Sequence, residues 1–141
     1  MKRSGPIRRH TPLRSLRVAA ARGKRDHYAH LRAEVHAREG GSCARCGVPC
    51  PITVGTIQHR RKRSQGGKDD AWNCVWTCFS CNAGWIEDNP TEAIRLGWTV
   101  PHGADPAAWP VYRTHYGVTG WWQPTPDGWV PSEPDERQGA A

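Results

Sequence analysis

A small α+β fold clamped by a metal is what the sequence predicts, and three observations carry that expectation. The chain has 141 residues, enough for one compact unit and little more. Apolar residues recur at helical spacing in one stretch and β-branched residues cluster in another. Four cysteines stand in two C-x-x-C pairs, Cys43/Cys46 and Cys78/Cys81. The hydrophobic fraction is 37%, with 15 Gly and 12 Pro, which is thin material for a core, and a metal staple would offset the shortage.

Tetrahedral Zn²⁺ takes four thiolate or imidazole ligands, and each C-x-x-C turn offers two sulfurs to one side of the ion. Residues 1–25 carry many arginines and no apolar h-region, so no secretory signal is expected. In a reducing compartment, paired C-x-x-C turns point to zinc rather than to disulfides. Cys43, Cys46, Cys78 and Cys81 are therefore the expected ligands of a structural zinc. A thioredoxin-like redox pair would need a βαβ pattern, which surrounds neither turn. Cys50 and Cys74 read as small buried thiols.

Along the chain, residues 1–25 contain Pro6, Pro12 and Gly23 without a sustained hydrophobic period, and read as a flexible basic arm. From Asp26, a candidate N-cap, Tyr28, Leu31 and Val35 fall at helical spacing, and Gly40-Gly41 closes that helix. The first cysteine turn follows over 42–47. Residues 52–57 are rich in β-branched side chains and predict a strand running into Gln58 and His59. Residues 71–77 fit either an irregular loop into a short strand or a first helical turn. The second cysteine turn then leads into a helix over about 82–88, ending before Pro90. A shorter helix over 91–96 has Thr91 as candidate N-cap and Gly97 as its stop. Residues 26–100 form the expected core, 101–131 a Trp/Pro-rich extension with a turn at 124–128 between two short strands, and 132–141 a disordered tail. Trp98, Trp109, Trp121, Trp122 and Trp129 suit packing in a domain short of aliphatics, with base stacking as the alternative.

Charge is uneven. Residues 1–40 hold eleven Lys/Arg against three acids, a balance of +8, beside +7 for the whole chain. The remainder is nearly neutral, yet contains Arg60, Arg61, Lys62 and Arg63 in succession. A polyanion is the partner this favours, because cations that neutralise phosphates gain from counterion release. No apolar run approaches the roughly 18 residues that mark a membrane-spanning helix.

His59, Asn73 and Asn82, threaded between the two cysteine pairs and accompanied by Gly66-Gly67, resemble the motif of the HNH endonucleases, in the subtype with Asn at the third position. The likeness covers about residues 43–100 and is greatest to the small HNH proteins of tailed bacteriophages and prophages. It implies a ββα-metal, treble-clef-like core, with a ribbon over 52–77, a helix over 82–88 and one catalytic divalent ion such as Mg²⁺, Mn²⁺ or Ni²⁺. It further implies DNA as substrate, His59 as general base, Asn73 as the residue that orients loop and base, and Asn82 as a ligand of the ion. Arg60, Arg61, Lys62 and Arg63 would contact phosphates. Gln58 stands where many relatives carry an acid or imidazole ligand, so Gln58 and Asn82 would hold Mg²⁺ loosely. A phage terminase as partner and the cytoplasm of a bacterial host as location belong to the same implication. A zinc protein that binds DNA or a packaging partner without cleaving, and a zinc-dependent protein-interaction module, are the alternatives.

Overall fold

The computed structural model describes residues 13–139, and the first helix, α1, spans Leu13–Arg38. It starts well ahead of Asp26, which lies inside it. The part of the expected arm at 13–25 is thus helical, and the rest lies outside the described residues. Ala19, Ala20, Ala21, Arg22, Lys24 and Arg25 are good helix formers, which explains a helix without a buried stripe there. Residues 17–27 are exposed, and the helix enters the core with Leu31 and Val35, Tyr28 half-buried beside them and the His36 ring edge-on to Trp76. Its end is a Schellman turn: Gly41 N donates to His36 O at 3.1 Å and Gly40 N to Ala37 O at 3.0 Å, with both glycines at positive φ.

Two antiparallel strands follow, β1 (Thr56–His59) and β2 (Cys74–Thr77), in the register His59 opposite Cys74 and Ile57 opposite Trp76. The strand predicted over 52–57 begins only at Thr56. Pro51 O accepts from both Val54 N and Gly55 N at 2.9 Å, so the preceding residues turn. For 71–77 the first alternative holds, a turn at 71–73 leading into β2. All four residues of β2 are buried because it is covered on both faces. Cys74 and Trp76 join a core with Leu31, Val35, Ile57 and Cys81, whereas Val75 joins Ile86, Ala93, Trp98, Val111 and Trp129.

The next helix is wound as a π-helix over Ser80–Ile86, and α2 covers Pro90–Arg95. Asn89 rather than Thr91 occupies the N-cap, with Pro90 at the first helical position, where its missing N–H costs nothing. Gly97 ends α2 at φ +82°, so close to Pro110 O that a Cβ would lie 1.9 Å from it.

The C-terminal part is a three-stranded antiparallel meander of β3 (Val111–His115), β4 (Val118–Thr125) and β5 (Gly128–Pro131). The β4–β5 turn matches the expected one, and β3 is a strand beyond the two expected. Trp98, Trp109 and Trp129 are buried in the core and the half-buried Trp122 packs against it, whereas the half-buried Trp121 meets Tyr112 edge-on at 5.3 Å. Val111 and Trp129 share a core with Val75 and Ile86. The tail expected to be disordered is ordered as far as it is described: Gln138 is buried and its Nε2 donates to Pro110 O at 2.9 Å.

An ionic cluster ties these parts together. Glu39 is buried between Arg38 and Arg113, both at 2.9 Å, and accepts from Trp129 Nε1. Arg38 also donates to the carbonyls of Ala71, Cys74 and Thr125. Helix, ribbon and meander therefore meet on one satisfied charge network.

Candidate active site and metal centre

The four paired cysteines come together as the spacing predicted. The Sγ atoms of Cys43, Cys46, Cys78 and Cys81 all lie within 4.8 Å of one another. Cys46 Sγ and Cys78 Sγ are 3.8 Å apart, and a tetrahedron with Zn–S bonds of about 2.3 Å has edges of about 3.8 Å. An all-sulfur donor set at this spacing suits a soft tetrahedral ion such as zinc. The first turn closes through Gly47 N to Cys43 O at 2.9 Å, with Gly47 at φ +75°, and Ala44 N donates to Trp76 O, which fixes the turn on β2. Burial alone would raise the Cys43 thiol, but backbone N–H groups of Cys46, Cys78 and Arg45 outweigh it and lower the pKa. Cys81 is pushed up by burial to about 12. Cys50 and Cys74 are buried, as expected, outside the cluster.

His59 ends β1, its side chain only 13% exposed. It lines a groove of about 240 Å³ with Ile57, Gln58, Lys62, Arg63, Asn82 and Glu87. Asn82 reaches this groove from the π-helix, and its Nδ2 donates to Ile57 O at 3.4 Å. Cys81 and Asn82 leave the helix in different directions, so one joins the thiols while its neighbour joins His59.

Asn73 does not enter the groove and instead staples the loop 60–73. Its Oδ1 accepts from Arg61 N at 2.7 Å, and its Nδ2 donates to Arg61 O and Lys68 O, both at 3.0 Å. Within the loop, Gly67 passes so near Arg61 O that a Cβ would lie 1.8 Å away, so no other residue fits without shifting the backbone.

The basic run divides. Arg60 is fully buried, donating to the carbonyls of Gly97, Trp72, Pro106 and Trp109. It cannot face a phosphate, which corrects the reading of four phosphate contacts. Burial, with the Arg38 charge second, lowers its pKa to about 9, which still leaves a cation at neutral pH. Lys62 and Arg63 are about half exposed on the groove, and Arg61 is held by Gln65 O at 2.9 Å.

Gln58 is buried, and its Nε2 lies 3.5 Å from Trp98 O. The groove therefore presents amide groups of Gln58 and Asn82 and one carboxylate, Glu87, which Lys62 contacts at 3.3 Å. Among the described residues the thiol cluster is the group of three or more Cys, His, Asp or Glu side chains placed to share a metal. Neutral donors with one acid fit a weakly held divalent ion, and fit Mn²⁺ or Ni²⁺ better than Mg²⁺.

Sequence reasoning missed Asp69. His59 Nε2 lies 2.7 Å from Asp69 Oδ1, and Arg63 donates to both carboxylate oxygens, at 2.9 and 3.0 Å. Arg63, and to a lesser degree His59, hold this carboxyl below the usual range against the opposing effect of burial. The Asp69-Asp70 pair is visible just after Gly66-Gly67, but only folding of the loop shows which acid meets His59; Asp70 instead accepts from Asn73 N at 2.9 Å.

No curated protein and no solved structure matches the chain. A family model described as HNH endonuclease matches residues 43–84, a span that begins at Cys43 and holds all four clustered cysteines, His59, Asn73 and Asn82.

Proposed function

We propose that the protein is a metal-dependent HNH endonuclease that hydrolyses DNA phosphodiester bonds on a ββα-metal core. The observation that carries this reading is the meeting of His59 and Asn82 in one groove, beside Lys62 and Arg63 and within the span that resembles the nuclease family. His59 is suited to take a proton from the attacking water, since its ring faces the groove and a neutral imidazole carries a nitrogen lone pair. Lys62, and the guanidinium donors of Arg61 and Arg63 not engaged by Gln65 and Asp69, bind and orient phosphate groups through charge-assisted hydrogen bonds. Asn73 holds the shape of the loop that carries these cations. Asn82, with Gln58 or Glu87, would hold the divalent ion, which supplies charge stabilisation to the phosphoryl oxygens and the leaving alkoxide. The four thiolates would hold a structural zinc, because a filled tetrahedral shell has no position for water.

Purified protein incubated with supercoiled plasmid in Mg²⁺, Mn²⁺, Ni²⁺ or EDTA tests the reading. Nicking is expected with a divalent ion and not in EDTA. His59→Ala should lower it by about 10²-fold or more, the scale of general-base catalysis, with a cooperative unfolding transition retained; wild-type rates in that variant would remove His59 from the role.

A second reading, DNA binding without cleavage, draws on the groove's shortage of carboxylates, and salt-dependent binding without nicking in any ion would select it. The sequence likeness to small phage proteins extends the first reading to a role beside terminase in genome packaging within a bacterial host, which co-purification with terminase subunits tests.

A further inference from the structure

We propose that Asp69 is the positioning residue of His59, fixing the imidazole with its proton on Nε2 so that Nδ1 is the atom that accepts a proton. This rests on the endonuclease reading for its catalytic meaning, but the geometry stands without it.

Donor and acceptor roles follow from the charge on the carboxylate. Arg63 donates to Asp69 through Nε and through a terminal nitrogen, one to each oxygen, the paired geometry that a guanidinium makes with an ionised acid. An ionised carboxylate accepts and cannot donate. The His59 nitrogen that lies 2.7 Å from Oδ1 must therefore be the donor. A neutral imidazole with Nε2–H has its lone pair on Nδ1, and that tautomer is the one in which His59 can act as a base through Nδ1.

Asp69 is itself held from several sides. Its carbonyl oxygen meets His27 Nε2 from α1 at 2.9 Å, and the preceding carbonyl, of Lys68, is bound by Asn73. The following residue, Asp70, caps Asn73 N through its side chain. Arg63, the other partner of the carboxylate, lies over the Tyr28 ring at 5.1 Å. The acid is thus preorganised by α1 and by the loop staple, and the ring orientation of His59 follows from backbone that does not depend on substrate. Asn73, which does not touch His59, acts on it through this chain of contacts.

Long-range ¹H–¹⁵N correlation spectra of the imidazole rings read the tautomer directly, recorded on the full-length, zinc-loaded protein at about pH 9, where an ordinary histidine is neutral. In the wild type, His59 is expected to show a pyrrole-like Nε2 and a pyridine-like Nδ1; the reverse pattern overturns the proposal without any variant. In Asp69→Ala the preference for Nε2–H should weaken to a mixture, and kcat for plasmid nicking should fall by about 10²- to 10⁴-fold, the scale of a misplaced general base, a fall larger than any change in KM caused by releasing Arg63. An unchanged tautomer in Asp69→Ala, or a rise in KM at constant kcat, overturns it. The spectra decide the geometry even if the wild type nicks no DNA, an outcome that would sink the nuclease reading alone.

Discussion

His59 and Arg60 are adjacent in sequence and opposite in fate. His59 turns to the groove, whereas Arg60 turns inward and gives its donors to four backbone carbonyls. In the sequence, Arg60 is indistinguishable from Arg61 and Arg63, because a run of cations carries no signal for which one a strand end points into the core. The buried position makes a prediction that a phosphate contact would not. Arg60→Ala leaves these carbonyls without their donor, and at about 1–3 kcal/mol for each buried group left unsatisfied the loss is a large share of an ordinary domain's stability. Denaturant unfolding should show it, and DNA affinity measured well below the melting temperature should keep the wild-type salt slope. A lower slope with native stability would return Arg60 to the phosphate-binding set.

At the scale of elements, the cysteine turns were legible because metal ligation by C-x-x-C is a local property of spacing. The positions they clamp are not local: Ala44 is bonded to β2, and Cys81 shares its helix with Asn82. Losing one sulfur therefore undoes the ribbon, the helix and the groove together. Cys43→Ser or Cys81→Ser is expected to release the metal and abolish the cooperative transition, since structural zinc contributes about 10–16 kcal/mol at neutral pH, as much as a typical domain's net stability. Metal analysis alongside calorimetry checks this; stoichiometric zinc or a native melting curve in either variant would contradict it. The junction of α1 with the meander makes a second element-scale prediction. Glu39→Ala leaves Arg38 and Arg113 buried without their anion and Trp129 Nε1 without its acceptor, a loss of about 3–5 kcal/mol by analogy with other broken buried pairs. Urea unfolding measures it, and a change under about 1 kcal/mol would mean that carbonyl oxygens suffice for both guanidiniums.

Across the whole molecule, positive charge extends from α1 towards the groove: Lys24, Arg25 and Arg32 line a cleft with Arg63 and Asp69. Deleting residues 1–25, which hold nine Lys/Arg and no acid, should weaken DNA binding and flatten its salt dependence, by about 0.9 in log–log slope for each phosphate no longer neutralised. Because residues 17–25 are exposed, the melting temperature should hold. Binding titrations at several salt concentrations decide between this and an unchanged slope, which would make the segment a solubility device. Local residue patterns were enough to reveal the thiol cluster, the order of His59, Asn73 and Asn82, the end of α1 at Gly40-Gly41 and the β4–β5 turn, since each follows from ligand spacing or from backbone preference over a few residues. Folding was needed to make Arg60 part of the core, to bury Glu39 and Gln138, to join the C-terminal meander to the ribbon in one core, and to bring Asp69 rather than Asp70 to His59. These are contacts between residues distant in sequence or set by the path of a loop, where burial and pairing depend on what the rest of the chain brings alongside, and no local pattern of residues encodes that.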